Sequence, residues 1–256
     1  MLTKFDTRRP VTILVAVLSA LAWVTLWLWG QLPYSRFLSH HSLEQAVQDT
    51  ALAPLFVLSW VVMTTAMMLP TSLPLITQFQ RMTGTQRGGL GLPSLLISGY
   101  LLVWTGFGVL LYASDWGLHR LIDAAPEIEA RAWMLSGLTL LAAGAYQFTP
   151  LKYHCLDKCR SPLSFIAGHW HGRRPRLEAL WLGAHHGLYC VGCCWSLMLV
   201  MFAVGAGSLG WMLVLGAAMA LEKNAPWGRH IAGPLGIGLL AGGAVLLMAG
   251  APAHLH

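Results

Sequence analysis

Hydrophobic residues fall into seven long runs separated by polar stretches. A helix that crosses a bilayer needs about 20 mostly apolar residues. The runs predict helices at Val11–Gly30, Ala51–Leu69, Leu92–Ala113, Trp133–Phe148, His186–Gly205, Ser208–Leu221 and Ile231–Gly250. A short turn at Gly205–Gly210 makes the fifth and sixth a helical hairpin. The first run follows Arg8, Arg9 and Pro10 as a signal peptide would. Its length, its three tryptophans (Trp23, Trp27, Trp29) and the lack of a small-residue cleavage site predict a retained helix. Pro70 and Pro74 are expected to break or bend the second helix at its end. The fold class is all-α, a polytopic transmembrane bundle of about seven spans forming one integral membrane domain over residues 1–256. The longest polar insertion, about Thr149–Gly183, is too short to bury a core alone.

Composition agrees with the pattern. Of 256 residues, 56% are hydrophobic and 10% are charged, less than half the charge of an ordinary soluble domain. That excludes disorder, collagen and coiled coil, and argues against a soluble enzyme. The 27 glycines are scattered through the runs, where small residues let helices approach closely.

The net charge of +6 tests the span count. From the N-terminus through the fourth loop, Lys and Arg minus Asp and Glu give +2, −1, +2, −2 and +4. Alternation of this kind is the positive-inside pattern. It predicts a multi-pass bacterial inner-membrane protein with its N-terminus in the cytoplasm, and 149–185 as a cytoplasmic basic loop. The positive excess is then a topology signal, with no nucleic acid required.

Soft ligands gather in three segments. The second run ends Met63-Thr-Thr-Ala-Met67-Met68-Leu-Pro70, with Met63 and Met67 on one helix face. Thioethers bind Cu(I), but alone they are ordinary packing residues. The fourth loop carries Cys155 and Cys159 in a C-x3-C spacing, one turn apart if helical. Lys152, Lys158 and Arg160 beside them are expected to favour thiolate. The fifth run opens with Cys190, Cys193 and Cys194, where an expected helix N-terminus also favours thiolate. His185 and His186 adjoin this cluster. Glu222, at the end of the sixth run, is either an interfacial partner of Lys223 or a site carboxylate.

The alternating topology brings all five cysteines to the cytoplasmic side. A permanent disulfide is a poor explanation in that reducing compartment. A thiolate site for Cu(I), Zn(II) or an iron–sulfur cluster, or a redox-active pair, explains them better. The candidate metal ligands are Cys155, Cys159, Cys190, Cys193, Cys194, Met63, Met67, Met68, His186 and Glu222. His40 and His41 with Glu44, the His169/His171 pair, and His254 with His256 are weaker metal candidates.

Met63-Thr-Thr-Ala-Met-Met-Leu-Pro70, Tyr146-Gln-Phe-Thr-Pro-Leu-Lys152 through Cys155, and Cys159-Arg-Ser-Pro162 together resemble a known family. His186-Gly-Leu-Tyr-Cys-Val-Gly-Cys-Cys-Trp195, Trp211-Met212 and Glu222-Lys223 continue the likeness. It is a family of bacterial predicted metal-binding integral membrane proteins whose domain has no established function, and the resemblance covers about Ala51–Gly250. It implies a polytopic bundle and a metal site, without naming a metal or a reaction. Three functions follow as expectations. The first is a membrane-embedded protein handling a soft ion, copper favoured, with the bilayer and the ion as partners. The others are a membrane thiol–disulfide oxidoreductase and a non-catalytic subunit of a membrane complex.

Overall fold

The computed structural model describes residues 9–31, 53–83, 90–123, 132–204 and 208–249. These are helical throughout apart from short connections, with no strand among them. The helices are α1 (Arg9–Gln31), α2 (Ala53–Met67), α3 (Leu73–Thr83), α4 (Gly91–Asp123) and α5 (Ala132–Tyr146). They continue with α6 (Pro150–Arg160), α7 (Pro162–His169), α8 (Pro175–Val204), α9 (Leu209–Asn224) and α10 (Ala232–Ala249). The all-α expectation therefore holds.

The expected count of about seven spans is not confirmed. Among the described residues, four helices are long and apolar enough to cross a membrane: Pro10–Gln31, Gly91–Gly117, Pro175–Met201 and Gly228–Ala249. A fifth joins them if Ala53–Met67 and Pro70–Thr83 count as one broken span, bent by 45°. The other two runs fall short because their helices are short: α5 offers only Met134–Tyr146 as an apolar stretch, and α9 has 16 residues. The bend sits where the prolines were expected to put it. Pro70 has no N–H to continue the ladder, and Leu69 N–H reaches back to Thr64 O at 3.3 Å beside the Met68 bond to the same oxygen. A 3-10 turn over Pro70–Ser72 then leads into α3.

Helix α8 is the axis of the bundle, packed on α4, α5, α6, α7 and α9. Its closest partner is α4, and glycine makes that approach feasible. A Cβ at Gly183 would run into the backbone of Leu96, and one at Gly99 into the backbone of Leu180. No side chain fits at either position without parting the helices, which is the small-residue packing expected between apolar helices. A second glycine seam joins α5 to α10, with Gly144 facing Gly236 and Gly137 facing Gly243. Large apolar side chains cover much of the outside, including Leu21, Leu102, Leu110, Leu188, Val214 and Val245. Inside lie Trp60, Tyr100, Trp104, Met68 and the sulfur atoms of α8.

Candidate metal site

Helix α8 begins at Pro175, whose fixed φ suits the first turn. The cysteines therefore lie about 22 Å along its axis rather than at its N-terminus, at about 1.5 Å per residue. This corrects the expected dipole support, which fades within the first turn. The apolar run started near His186, but the helix reaches back through a polar stretch that hydropathy does not mark.

All five cysteines are free thiols, and Cys155, Cys190, Cys193 and Cys194 are buried. Cys159 on α6 meets Cys193 on α8 with sulfurs 4.0 Å apart. Cys155, one turn earlier, packs on the bare face of Gly192, where a Cβ would come within 2.6 Å of its sulfur. Cys194 Sγ lies 3.7 Å from Met68 Sδ, at the break after α2. Cys190 Sγ is 3.0 Å from the Tyr100 hydroxyl of α4. The C-x3-C stretch is helical, as its pairing required: Thr149 caps α6 by accepting from Lys152 N–H, and Pro150 occupies the first turn.

Two lysines do what the sequence did not indicate. Lys223, 7% exposed, donates to Cys190 Sγ at 2.9 Å and to Thr71 Oγ1 at 3.3 Å. Its ammonium also lies 3.8 Å from Met68 Sδ and 3.9 Å from Cys194 Sγ. It is a cation set into the sulfur cluster. Glu222 does not pair with Lys223; it takes Lys152 instead, at 2.8 and 2.9 Å to its two oxygens. Lys152 is fully buried and donates its remaining proton to Gln147 Oε1. All three ammonium protons are thus used. Arg160 holds the same turn through the carbonyls of Glu222 and Pro226. Adjacent residues on a helix point about 100° apart, so Glu222 faces α6 while Lys223 faces α8.

The expectation that basic neighbours lower the α6 thiols is reversed. Burial raises the pKa of Cys155. The sulfur contact with Cys193, followed by burial, pushes Cys159 well above its ordinary value. Lys152 turns away to Glu222, so its charge does not serve Cys155.

The remaining candidates separate. Of the methionines, Met68 reaches the cluster, whereas Met67 packs on Gly216 of α9. Met63 is buried in the core of α2. His186 is buried too, with Nε2 facing Ser72 Oγ at 3.2 Å and its ring stacked on Tyr100. His40, His41, Glu44, His254 and His256 lie outside the described residues, as does the turn at 205–207. No signal in the sequence separates Met68 from Met67, because the bend at Pro70 decides which thioether turns inward.

Among the described residues, no three His, Cys, Asp or Glu side chains stand close enough together to hold an ion. The sulfurs instead stand in pairs. Two thiolate bonds of about 2.3 Å, as to zinc, span at most about 4.6 Å, so one ion can bridge Cys159 and Cys193 at 4.0 Å. Thiolate and thioether donors select Cu(I) over hard cations. The donor chemistry fits copper.

Residues 57–246 match the family model of PpoB2, described as a copper chaperone. The chain belongs to this copper chaperone family. The match takes in Met68, all five cysteines, Lys152, Glu222 and Lys223, and leaves out the whole of α1. It makes the protein a member of a metal-related family, as its resemblance implied. No curated protein and no solved structure matches the chain.

Proposed function

We propose that this protein is a membrane-embedded copper carrier that holds Cu(I) on sulfur where the end of α2 meets α6, α8 and α9. The cargo ligands are drawn from Cys155, Cys159, Cys190, Cys193, Cys194 and Met68. Met63, Met67 and His186 serve packing around them, and Glu222 anchors α6 through Lys152. One observation carries the reading: thiols of α8 meet a thiol of α6, a thioether just past α2 and a buried ammonium. Copper chaperone membership supports the identity of the cargo. A helix broken in the interior of a bundle supports it as well, because irregular backbone at membrane depth is tolerated where it lines a site.

The lipid bilayer surrounds the apolar outer face in this reading, and the chain is a single multi-pass domain of the bacterial inner membrane. The loop charges favour a cytoplasmic N-terminus and place the basic stretch 149–185, with its C-x3-C, on the same side. Short apolar helices such as α5 and α9 would complete a count of about seven spans. Copper taken up on the cysteines is passed to an acceptor protein.

Copper content of the purified protein, beside a variant with all five cysteines changed to serine, tests the proposal. Stoichiometric copper in the parent and none on sulfur in the variant is the expected result. Full copper retention without the cysteines would sink it. The Cys159–Cys193 contact also favours a second reading, thiol–disulfide exchange. Alkylation separates the two: a redox pair gives a reversible disulfide, whereas a copper site shields its thiols until the metal is chelated.

A further inference from the structure

We propose that His169 and His185 form a second copper site, an open pair of imidazoles between the end of α7 and the first half of α8. Their rings lie 5.1 Å apart, centre to centre. Each Nδ1 is 2.9 Å from the carbonyl oxygen four residues back, Phe165 for His169 and Trp181 for His185. A carbonyl only accepts, so each Nδ1 carries the proton and donates. In the neutral ring that leaves Nε2 with a free lone pair. Metal-binding histidines are fixed in this way, with the second nitrogen tied to a carbonyl or carboxylate. Aromatic contacts steady both rings, Phe165 stacking on His169 at 4.5 Å and Trp181 lying 5.8 Å from His185.

The spacing suits a shared ion. With metal–nitrogen bonds of about 2.0–2.1 Å, two imidazoles on one ion have ring centres no more than about 6.5 Å apart. Both rings line a cleft of about 300 Å³ together with Arg173, Arg174, Glu178 and Trp181. Glu178 is committed elsewhere: it accepts from the backbone N–H groups of His171, Gly172, Arg173 and Arg174 at 2.6–2.9 Å. It thereby fixes the turn that walls the cleft, in which Gly172 adopts a φ of 73°. With Glu178 occupied and two arginines beside the rings, the cleft disfavours a dication more than a monovalent ion. Two protein ligands leave coordination positions open, as a site that must release its ion requires.

The pair lies on the route a carrier needs. The same two parts of the chain that bring His169 to His185 also bring Cys159 to Cys193, about 12 Å further along α8. Phe165, His186 and Tyr189 pack between the two sites, their rings 5.7 Å from one another's through Phe165. The imidazoles are half-buried in an open cleft, whereas Cys193 is buried. The choice of copper rests on the proposed function; the existence of the imidazole site does not.

Cu(I), supplied anaerobically as its acetonitrile complex with ascorbate, is titrated into detergent-purified full-length protein. X-ray absorption then reads its ligands. The parent should show imidazole scattering and sulfur. His169→Ala/His185→Ala should lose the imidazole signal and one copper equivalent while keeping sulfur. The five-cysteine variant should keep imidazole and lose sulfur, so this site stands even where the thiol site fails. His169→Gln/His185→Gln guards against misfolding of the alanine pair. Imidazole scattering and copper content unchanged in a folded double variant overturn the proposal.

Discussion

Changing Lys223 to glutamine should weaken Cu(I) binding at the thiol site by nearly a thousand-fold. Metal-bound cysteines are thiolates, so a cuprous ion on two of the α8 thiols that Lys223 faces, Cys190 and Cys194, carries a net charge of −1. Burying that charge without a partner is costly. Lys223 is the partner at hand, its ammonium 2.9 Å from Cys190 Sγ and 3.8–3.9 Å from Met68 Sδ and Cys194 Sγ. Two unit charges at 4 Å attract by about 4 kcal/mol at an effective dielectric of 20. At about 1.4 kcal/mol per tenfold change in affinity, the loss approaches three orders of magnitude. Lys223→Arg keeps the charge and should retain much of the affinity. Competition against a chromogenic Cu(I) chelator in detergent measures both, with a thermal melt confirming that each variant is folded. Equal or tighter binding by the glutamine variant would refute the reasoning, and would make Lys223 a plug that copper must displace.

Two further outcomes follow from buried charge and buried thiols. Lys152→Met strands the Glu222 carboxylate, which is 2% exposed, and should cost about 3–5 kcal/mol, whereas Lys152→Met/Glu222→Leu should recover most of it. Thermal unfolding in detergent decides this, and a double variant no more stable than Lys152→Met would contradict it. Because burial in the folded protein raises Cys155 above an ordinary thiol near 8.5, the folded state binds its proton more tightly. Stability from this group is present in full below about pH 8.5 and falls as pH rises toward its raised value. Melting of the metal-free protein across pH 7–11 should show that decline, flattened in Cys155→Ser; no difference between the two proteins would count against it.

Much of this was legible in the sequence because hydropathy and proline act locally. The runs around α1, α4 and α10 were found from composition alone, and the bend at Pro70 from a missing N–H. The start of α8 was not, since Arg174, Pro175 and Glu178 start a helix well inside a stretch that reads as polar loop. Of the site, the convergence of the C-x3-C with the second cysteine cluster was legible as a shared end of the bundle. The roles of individual side chains were not. Glu222 and Lys223 are neighbours in sequence, so the simplest reading pairs them. The geometry of a helix turns them to different partners, and only packing against α6 and α8 reveals which. His185 stood beside the cysteines in sequence, yet the turn fixed by Glu178 delivers it to His169 instead.

Three buried side chains ordinarily charged at neutral pH are concentrated here among the described residues: Lys152, Glu222 and Lys223. The first two cancel, and their fully used hydrogen bonds make them a clamp between α6 and α9. Lys223 is left over. In a low-dielectric interior an unpaired ammonium is a demand for an anion, and under the proposed function the loaded site supplies one. Cu(I) on two thiolates has charge −1 and neutralises Lys223. Zn(II) on the same two thiolates is neutral and leaves the ammonium exposed to its full burial cost. Softness alone admits both ions to a thiolate site. The fixed positive charge of Lys223 then selects the monovalent one, so the residue that looks least like a ligand contributes most to the choice of metal.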